Sequence, residues 1–254
     1  MDDANWLELN RRAMEAAFAS FVRAAGGEVL EPDGVLAGVN PAVPERSVFN
    51  SVVYSDPKAL GAAREQLAAA YAEHGCAWTV WVPEGDVESA RMLEAAGHHL
   101  DAEPRAMGIE LDQYPEPDLT GIDWTAEGDY AAACSLNDAA FGYRPGTWMR
   151  GCGSHASDGL RIYTASLKDE PAATVAARDA GGDCSIWSVA TAPEARGRGL
   201  STALMSQALS DAAERGCETS TLQATKLGRP VYERVGYEDF GALQMWEYRE
   251  NPIG

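Results

Sequence analysis

Hydrophobic positions along the chain alternate between the spacing of a helix and that of a strand. Over residues 5–24, apolar side chains such as Leu7 and Phe18 recur on one face of a predicted helix, and Gly26 ends it. The rest of the first half predicts strands over 28–30 and 35–39 that form a hairpin, a strand over 47–54, a helix over 57–73, a strand over 77–82, a helix over 87–96 and a strand over 105–111.

The second half predicts a similar order of elements. A helix over 127–141 precedes a glycine-rich loop over 142–159. The pattern continues with a hairpin of strands over 161–167 and 172–178, a strand over 184–191, a helix over 201–215, a strand over 219–224, a helix over 229–235 and strand material up to 248.

A proline-rich segment separates the halves. Tyr114-Pro115-Glu116-Pro117-Asp118 holds two prolines, which interrupt both helices and strands, so we place a domain boundary between 1–114 and 115–254. The halves also match each other in sequence. Glu73-His74-Gly75-Cys76 corresponds to Glu214-Arg215-Gly216-Cys217, and two further short matches follow the same order. These matches predict an internal duplication.

Composition and charge exclude several classes of protein. With 254 residues, 46% of them hydrophobic, the chain can form a substantial core. Its formal charge of −19 argues against binding to nucleic acid or to an anionic membrane. The acidic first residues and the absence of a long apolar run predict a cytoplasmic protein. The five widely spaced cysteines indicate neither a disulfide framework nor a metal site.

The candidate chemistry lies in a glycine-rich turn between a predicted strand and a helix. Gly197 and Gly199 allow backbone N–H groups to converge at the start of the helix, where an anion is stabilised, and Arg196 and Arg198 add positive charge. The turn therefore suits a pyrophosphate. Because Thr202 stands where a dinucleotide fingerprint has its third glycine, and no P-loop pattern occurs, a nucleotide-binding enzyme of those classes is disfavoured.

Two motifs carry a resemblance to a known family. Arg-x-x-Gly-x-Ser over 196–201, after Val189-Ala190-Thr191-x-Pro193, resembles the acetyl-CoA motif of the GNAT superfamily of N-acyltransferases, in which Gly or Ala takes the place of Ser201. Downstream, the segment 228–237 is similar to the family's helix and strand that end in Tyr-x-x-x-Gly followed by an aromatic residue.

The resemblance implies a fold and a co-substrate. We expect an α+β protein made of tandem GNAT-like folds, with a central, mostly antiparallel sheet and flanking helices. Acetyl-CoA is the implied co-substrate and no metal is expected. The residues implied to bind acetyl-CoA are Val189, Ala190, Thr191, Arg196, Gly197, Arg198, Gly199, Leu200, Ser201 and Arg229.

The first half resembles a degenerate copy without a cofactor loop. Tyr54-Ser55-Asp56-Pro57-Lys58 stands in place of the glycine-rich turn, and Leu93 stands opposite Tyr232. Asp56 would repel a pyrophosphate, and Pro57 lacks an N–H donor. We therefore expect only the domain at 115–254 to be catalytic.

The implied reaction is direct attack of a primary amine on acetyl-CoA in a ternary complex. Tyr232 matches the family's proton donor to the leaving thiolate. The general base stays open, because the strand before the turn offers only Asp183 at its start, and Glu127 and Asp138 lie on the first helix of this half. Cys184 lies on a buried strand, where a thiol is usually inert.

The amine acceptor is a small molecule or a peptide that the sequence does not identify. Phe141, Tyr143 and Trp148 are candidates to line its pocket, although these rings could equally close the core over the first helix of this half. A non-catalytic acyl-CoA-binding or regulatory protein on the same fold is the alternative to the enzyme. The chain could act as a monomer or as a homodimer.

Overall fold

Seven α-helices and twelve strands occur within the residues that the computed structural model describes, which are 1–112, 114, 116–155, 157 and 159–250. The helices are α1 (Asp3–Ala24), α2 (Pro57–Glu73), α3 (Val87–Ala95), α4 (Tyr130–Ala140), α5 (Thr147–Cys152), α6 (Leu200–Glu214) and α7 (Arg229–Val235). The strands are β1 (Glu28–Leu30), β2 (Val35–Val39), β3 (Ser51–Tyr54), β4 (Trp78–Pro83), β5 (His99–Ala102), β6 (Arg105–Glu110), β7 (Asp123–Thr125), β8 (Leu160–Leu167), β9 (Glu170–Ala180), β10 (Asp183–Thr191), β11 (Thr219–Ala224) and β12 (Glu238–Tyr248).

One sheet runs through both halves of the chain. Its strand order is β1-β2-β3-β4-β12-β6-β11-β10-β9-β8-β7, and β5 pairs with β12 beside this path. Among the described strands, only β3 with β4 and β10 with β11 pair in parallel. The expected mixed, mostly antiparallel sheet with flanking helices is therefore confirmed.

Each half contributes the same succession of elements to the sheet. A hairpin (β1–β2 or β8–β9) leads to a strand, a helix and a second strand parallel to the first, which gives β3-α2-β4 in one half and β10-α6-β11 in the other. A short helix then follows, α3 or α7. The repeated order is the tandem arrangement that the sequence predicts.

The two halves exchange their last strands. β6 of the first half lies between β11 and β12 of the second, and β12 in turn pairs with β4 of the first. The proposed domains 1–114 and 115–254 thus share one sheet, and each supplies a strand to its neighbour.

Hydrophobic helix faces cover both sides of this sheet. α1 begins at a capped N-terminus, where the Asp2 carboxylate accepts the Asn5 N–H, and it buries Met14 and Phe18 against Leu36 and Trp81. On the opposite side, α2 covers β2, β3 and β4, and α6 packs over β8, β9 and β10. None of the described helices combines the length and hydrophobicity that a membrane crossing requires.

The structure differs from the sequence-based prediction at a few elements. β5 and β7 were not expected, because their residues are mostly exposed and lack an apolar alternation. The first residues of the strand predicted over 47–54 form a 3-10 turn, Ser47–Phe49. The helix predicted from 127 begins at Tyr130, because the Asp129 carboxylate caps it, and the loop predicted over 142–159 contains α5.

Candidate active site

A wedge opens in the sheet between β10 and β11. The two strands pair in parallel only from Asp183 with Thr219 to Ser185 with Thr221. Beyond that point β10 continues with β9 alone, whereas β11 continues to pair with β6 up to Ala224. The edge of β10 over 186–191 therefore has backbone groups free to bond an extended ligand arm.

A β-bulge lies on this free edge. The register of β10 against β9 shifts between Trp187 and Ala190, and Ser188 adopts φ +50°, a conformation that non-glycine residues rarely adopt. Such a bulge redirects the N–H groups of the following residues, Val189 and Ala190. Both predicted cofactor-binding residues thus lie where a backbone donor can point into the wedge.

The glycine-rich turn follows directly after β10. Gly197 and Gly199 have φ values of 75° and 77°, and a Cβ at either position would meet no atom within 4 Å. Backbone conformation, not crowding, therefore requires glycine at both positions. Gly199 is the N-cap of α6 and offers no side-chain cap, so the first N–H groups of α6 stay available to a ligand.

A cavity of about 470 Å³ lies in front of this turn. Thr191 and residues 196–201 line it, together with Val231 and Arg234 of α7. The lining holds three arginines and no carboxylate, and none of these guanidinium groups forms an ion pair with a described residue. The Thr191 and Ser201 hydroxyls bond to each other across the turn, so Ser201 fits the loop. The cavity is thus suited to a polyanion.

Arginine placement on α7 differs from the expectation. Arg229 pairs with Glu233 at 2.6 Å and with Asp239 at 3.2 Å, and it is not among the residues that line the cavity. Its part in cofactor binding stays a prediction. Arg234 does line the cavity, on the same face of α7 as Val231, and helical spacing from Val231 was the signal that could have found it.

Tyr232 is buried on α7, the helix whose Val231 and Arg234 line this cavity. Its ring meets Tyr237 edge to face at a centroid distance of 6.2 Å, and it approaches Gly228 so closely that a Cβ there would lie 2.9 Å from the ring. Burial raises the pKa of Tyr232 to about 12, so the phenol stays protonated at neutral pH. Tyr232 is not among the cavity-lining residues. Its role as proton donor remains a prediction.

The candidate general bases are engaged elsewhere. Asp138 accepts the N–H groups of Gly146 and Trp148 at 2.6 and 2.7 Å, which caps α5. Asp183 is buried at the closed end of the wedge, where the hydroxyls of Thr219 and Thr221 donate to it. Burial raises the pKa of Asp183 to about 6.

The remaining two candidates, Glu127 and Cys184, are not placed to take a proton from an amine at the bulge. Glu127 is exposed, its backbone N–H donates to the Thr125 hydroxyl at 3.0 Å, and it forms an isolated bridge with Ile162. Cys184 is fully buried, and burial raises the pKa of its thiol well above the usual range, so it stays protonated and unreactive.

The predicted acceptor residues form one aromatic cluster. Trp148 stacks with Phe141 at a centroid distance of 5.3 Å and with Tyr143 at 6.0 Å. Phe49, from the first half, meets Trp148 edge to face at 5.4 Å. The Arg46 guanidinium lies 4.4 Å from the Tyr143 ring centre. The cluster thus joins the two halves of the chain.

A small apolar cavity of about 80 Å³ adjoins the bulge. Of the three predicted acceptor residues, only Trp148 lines it. Aromatic rings from both halves surround it, and Ser188 lies in its wall; the rings are those of Phe18, Phe21, Phe49, Trp148 and Trp187. No charged side chain takes part in the lining. The contributions of α1 and Phe49 could not be predicted, because only the tertiary fold brings them there.

Three polar groups near the end of β12 lie close together, on His99, Asp101 and Glu247. The Glu247 carboxylate is already bonded by Arg249 at 2.5 and 2.6 Å, and the Ser47 hydroxyl also donates to it. His99 lies 3.4 Å from the same carboxylate. This group is therefore an ion-paired network that joins β12 to the first half.

Comparison with known proteins agrees with this geometry. Residues 128–237 match the family model described as the acetyltransferase (GNAT) family. This part of the chain is a GNAT domain. It contains the wedge, the glycine-rich turn and α7. A comparison with curated protein sequences found no match.

Solved GNAT structures resemble the whole chain. A GCN5-related N-acetyltransferase from Kribbella flavida is 18% identical, with a TM-score of 0.71 and coverage of 96% of both chains. Another from Sphaerobacter thermophilus is also 18% identical, with a TM-score of 0.62 and coverage of 94% of this chain and 92% of that one. A tandem GNAT protein from the clavulanic acid biosynthesis pathway is 14% identical, with a TM-score of 0.54 and coverage of 80% and 76%. At these identities the likeness shows the fold, and the fold extends over both halves.

Proposed function

We propose that this chain is an acetyl-CoA-dependent N-acetyltransferase whose catalytic domain is 115–254. The observation that carries this proposal is the combination of the wedge beside β10 with the arginine-lined cavity at the start of α6. One feature suits an extended amide-bearing arm and the other suits a pyrophosphate. Acetyl-CoA has both parts in one molecule, and its thioester would supply the acetyl group.

The residues of this chain divide the work of binding and orientation. The turn at 196–201 and Arg234 hold the phosphates, and the free edge of β10 holds the arm through backbone hydrogen bonds. A backbone N–H after the bulge, at Val189 or Ala190, polarises the carbonyl that the amine attacks. Because the bulge fixes these donors before the substrate arrives, they need no reorganisation during the reaction.

The Tyr232 hydroxyl is proposed to act on the departing thiolate. Its pKa near 12 keeps the proton on the phenol at neutral pH, which is the form that a general acid needs. A thiol normally has a pKa near 8.5, so complete transfer is uphill. We therefore infer that the hydroxyl stabilises the thiolate mainly by a hydrogen bond while solvent supplies the proton.

The acceptor is proposed to enter beside the bulge with its amine uncharged. The cavity next to Ser188 is lined by aromatic rings without a charged group, and such surroundings lower the pKa of an amine by disfavouring its ammonium form. An amine that arrives neutral needs no base before it attacks, and the proton that its nitrogen loses after attack passes to solvent, which fits the engagement of Asp138 and Asp183 in structural hydrogen bonds. The acceptor is thus an amine with a small apolar body, and the first half helps to enclose it.

A non-catalytic acyl-CoA-binding protein is the second candidate. Two observations favour it: Tyr232 does not line the phosphate cavity, and no carboxylate lines the cavity beside the bulge. The fold and the anion cavity would serve binding alone equally well. An enzyme and a binding protein would both bind acetyl-CoA, but only the enzyme would transfer its acetyl group to an amine.

Thiol release from acetyl-CoA over a panel of primary amines distinguishes the candidates. We expect release with arylalkylamines and short alkylamines, and little with diamines or amino acids, which carry a second charge into the apolar cavity. Calorimetry with acetyl-CoA runs in parallel. Binding without turnover on any amine would favour the binding protein, and no binding would contradict both.

A further inference from the structure

The apolar cavity beside the bulge is built largely by the half of the chain that has no glycine-rich turn. From that half, α1 and the segment 47–51 line it with Phe18, Phe21, Val22, Val48, Phe49 and Ser51. Its volume is about 80 Å³, whereas an apolar cavity that holds one benzene molecule measures about 150 Å³. A group that fits this cavity is therefore smaller than a benzene ring.

One end of the cavity lies at the bulge of β10. Ser188 belongs to the lining, and the ring of Trp187 beside it meets the rings of Phe18 and Phe21 edge to face, each at a centroid distance of 5.7 Å. The backbone N–H groups that we propose to polarise the thioester carbonyl follow directly after Ser188. An amine that attacks this carbonyl would thus have its nitrogen near Ser188 and its substituent in the cavity.

Phe49 closes the side of the cavity that α5 covers. Its ring meets the Trp148 ring edge to face at 5.4 Å. A Cβ at Gly151 would lie 2.5 Å from the Phe49 ring, so the ring packs directly on the backbone of α5, and only glycine permits this approach. The Phe49 ring therefore occupies space that the substituent of an amine would otherwise enter.

Buried hydrogen bonds anchor both partners of this contact. The Asn40 side-chain amide donates to the Gly151 carbonyl at 2.9 Å, which ties α5 to the first half. The Asn40 N–H donates to the side-chain oxygen of Asn50 at 2.7 Å, and Asn50 directly follows Phe49. Both asparagines are completely buried. Because the ring and the helix are each held from the first half, we expect Phe49 to resist displacement by a longer substituent.

We propose that Phe49 is a specificity-determining residue that limits the acceptor to short alkylamines. The amine nitrogen lies at Ser188, the alkyl chain runs past Trp187, and the Phe49 ring stops it. The half of the chain without the glycine-rich turn thus selects the amine. This inference rests on the proposed function and refines it, because it ranks short alkylamines above arylalkylamines.

Thiol release from acetyl-CoA with propylamine and with benzylamine tests the proposal. Values of kcat/KM are calculated on the concentration of neutral amine, and we expect the wild type to prefer propylamine. Phe49→Ala removes the ring, so the ratio of kcat/KM for benzylamine to that for propylamine should rise at least tenfold. Phe49→Leu removes less volume and should raise the ratio by a smaller factor.

Phe240→Ala is the matched control. Phe240 is a half-buried phenylalanine that stacks on Trp6 at 4.9 Å and does not line the cavity, so its loss should leave the ratio unchanged. Benzene binding, measured by calorimetry, is a second readout that needs no turnover. Phe49→Ala should bind benzene at least tenfold more tightly than the wild type or Phe240→Ala does, because an enlarged apolar cavity takes up benzene.

Two results would overturn this inference and leave the proposed function intact. They are thiol release with the same amine ratio in wild type and Phe49→Ala, and a wild type that prefers benzylamine. Equal benzene affinity in wild type and Phe49→Ala would also overturn it, since the ring would then not limit the cavity. Thiol release with no amine from any of these proteins would instead contradict the proposed function, and this inference with it. If Phe49→Ala does not fold, the same ratio in Phe49→Leu decides the question.

Discussion

The side-chain amide of Asn137 donates a 3.2 Å hydrogen bond to the backbone carbonyl of Ser188, the residue at which β10 bulges. The same amide donates to the Ala133 carbonyl within α4 at 2.9 Å, and Asn137 is completely buried. Because Ser188 adopts an unusual positive φ, the bulge needs support from its surroundings. Asn137 ties α4 to the bulge and holds it in place.

Replacement of Asn137 by alanine should therefore impair catalysis more than folding. We expect kcat/KM for acetyl-CoA to fall at least tenfold, because the N–H groups after the bulge lose their fixed orientation. The free energy of unfolding should fall by about 1–3 kcal/mol, from the lost buried hydrogen bond. Steady-state kinetics and denaturant unfolding measure the two effects. Ser135→Ala, on the exposed side of α4, is the control, and an Asn137→Ala variant that is destabilised but fully active would contradict this role.

Arginine substitutions should weaken acetyl-CoA binding through its phosphates. Arg196→Ala and Arg234→Gln each remove a cation from the cavity lining. Each should weaken acetyl-CoA about tenfold to a hundredfold, from a charge-assisted bond worth about 1.5–3 kcal/mol, and leave pantetheine fragments without phosphate unaffected. Calorimetric titration measures both affinities. Equal loss for pantetheine would show that the change disturbs the wedge and not the phosphate contact.

Only one acetyl-CoA should bind to each chain. In the first half the N-terminus of α2 is already capped, because Asp56 accepts the N–H groups of Lys58 and Ala59 at 2.9 and 3.1 Å. These groups correspond to those that the glycine-rich turn leaves free at α6, and a carboxylate there also repels phosphate. Calorimetry should give a stoichiometry of about one, and two equivalent sites would contradict the division into one binding and one silent half.

Tyr232→Phe should lower turnover without lowering affinity. The substitution keeps the ring that packs on Tyr237 and removes only the hydroxyl. If that hydroxyl stabilises the thiolate, kcat falls about a hundredfold. With a pKa near 12, Tyr232 stays protonated throughout the usual assay range, so wild type should show no alkaline loss of kcat from this group below about pH 11. Wild-type turnover in the variant would make Tyr232 a packing residue.

Much of the fold follows from local pattern, whereas the pairing of distant segments does not. β11 and α7 have the bounds that the sequence predicts, because glycines flank them: Gly216 precedes β11, and Gly228 and Gly236 bound α7. The exchange of β6 and β12 has no local signal. The contact of Met107 with Asp239 across that exchange joins positions far apart in sequence, and only the complete sheet fixes their register.

Part of the candidate site also follows from local sequence, and part depends on contacts between distant segments. Gly197 and Gly199 predict the turn, because their backbone conformation demands glycine. Trp187 and Phe49, by contrast, give no sign in the sequence that they line one cavity, since they lie in different halves and meet only through α1 and α5. Contacts between helices and strands that are distant in sequence cannot be predicted from the local hydrophobic pattern.

Asp183 should make the stability of the protein fall as the pH rises. Burial raises its pKa from 3.8 to about 6 in the folded chain, although the Thr221 and Thr219 hydroxyls favour the ionised form. A carboxyl whose folded pKa is raised binds its proton more tightly when folded, so its stabilising effect is present at low pH and is lost between about pH 4 and pH 6. From about pH 4.5 to pH 7.5 the loss amounts to roughly 2 kcal/mol. Asp183→Asn keeps the size and hydrogen-bonding capacity but cannot ionise.

Urea unfolding of wild type and Asp183→Asn at both pH values isolates this contribution, because other titrating groups cancel in the difference. We expect the variant to gain about 2 kcal/mol on wild type between the lower and the higher pH. Asp211→Asn provides a matched comparison at a partly exposed carboxylate, which accepts a hydrogen bond from Tyr163 at 2.8 Å. A constant difference between Asp183→Asn and wild type would mean that the Asp183 carboxyl is no harder to ionise in the fold than in the unfolded chain.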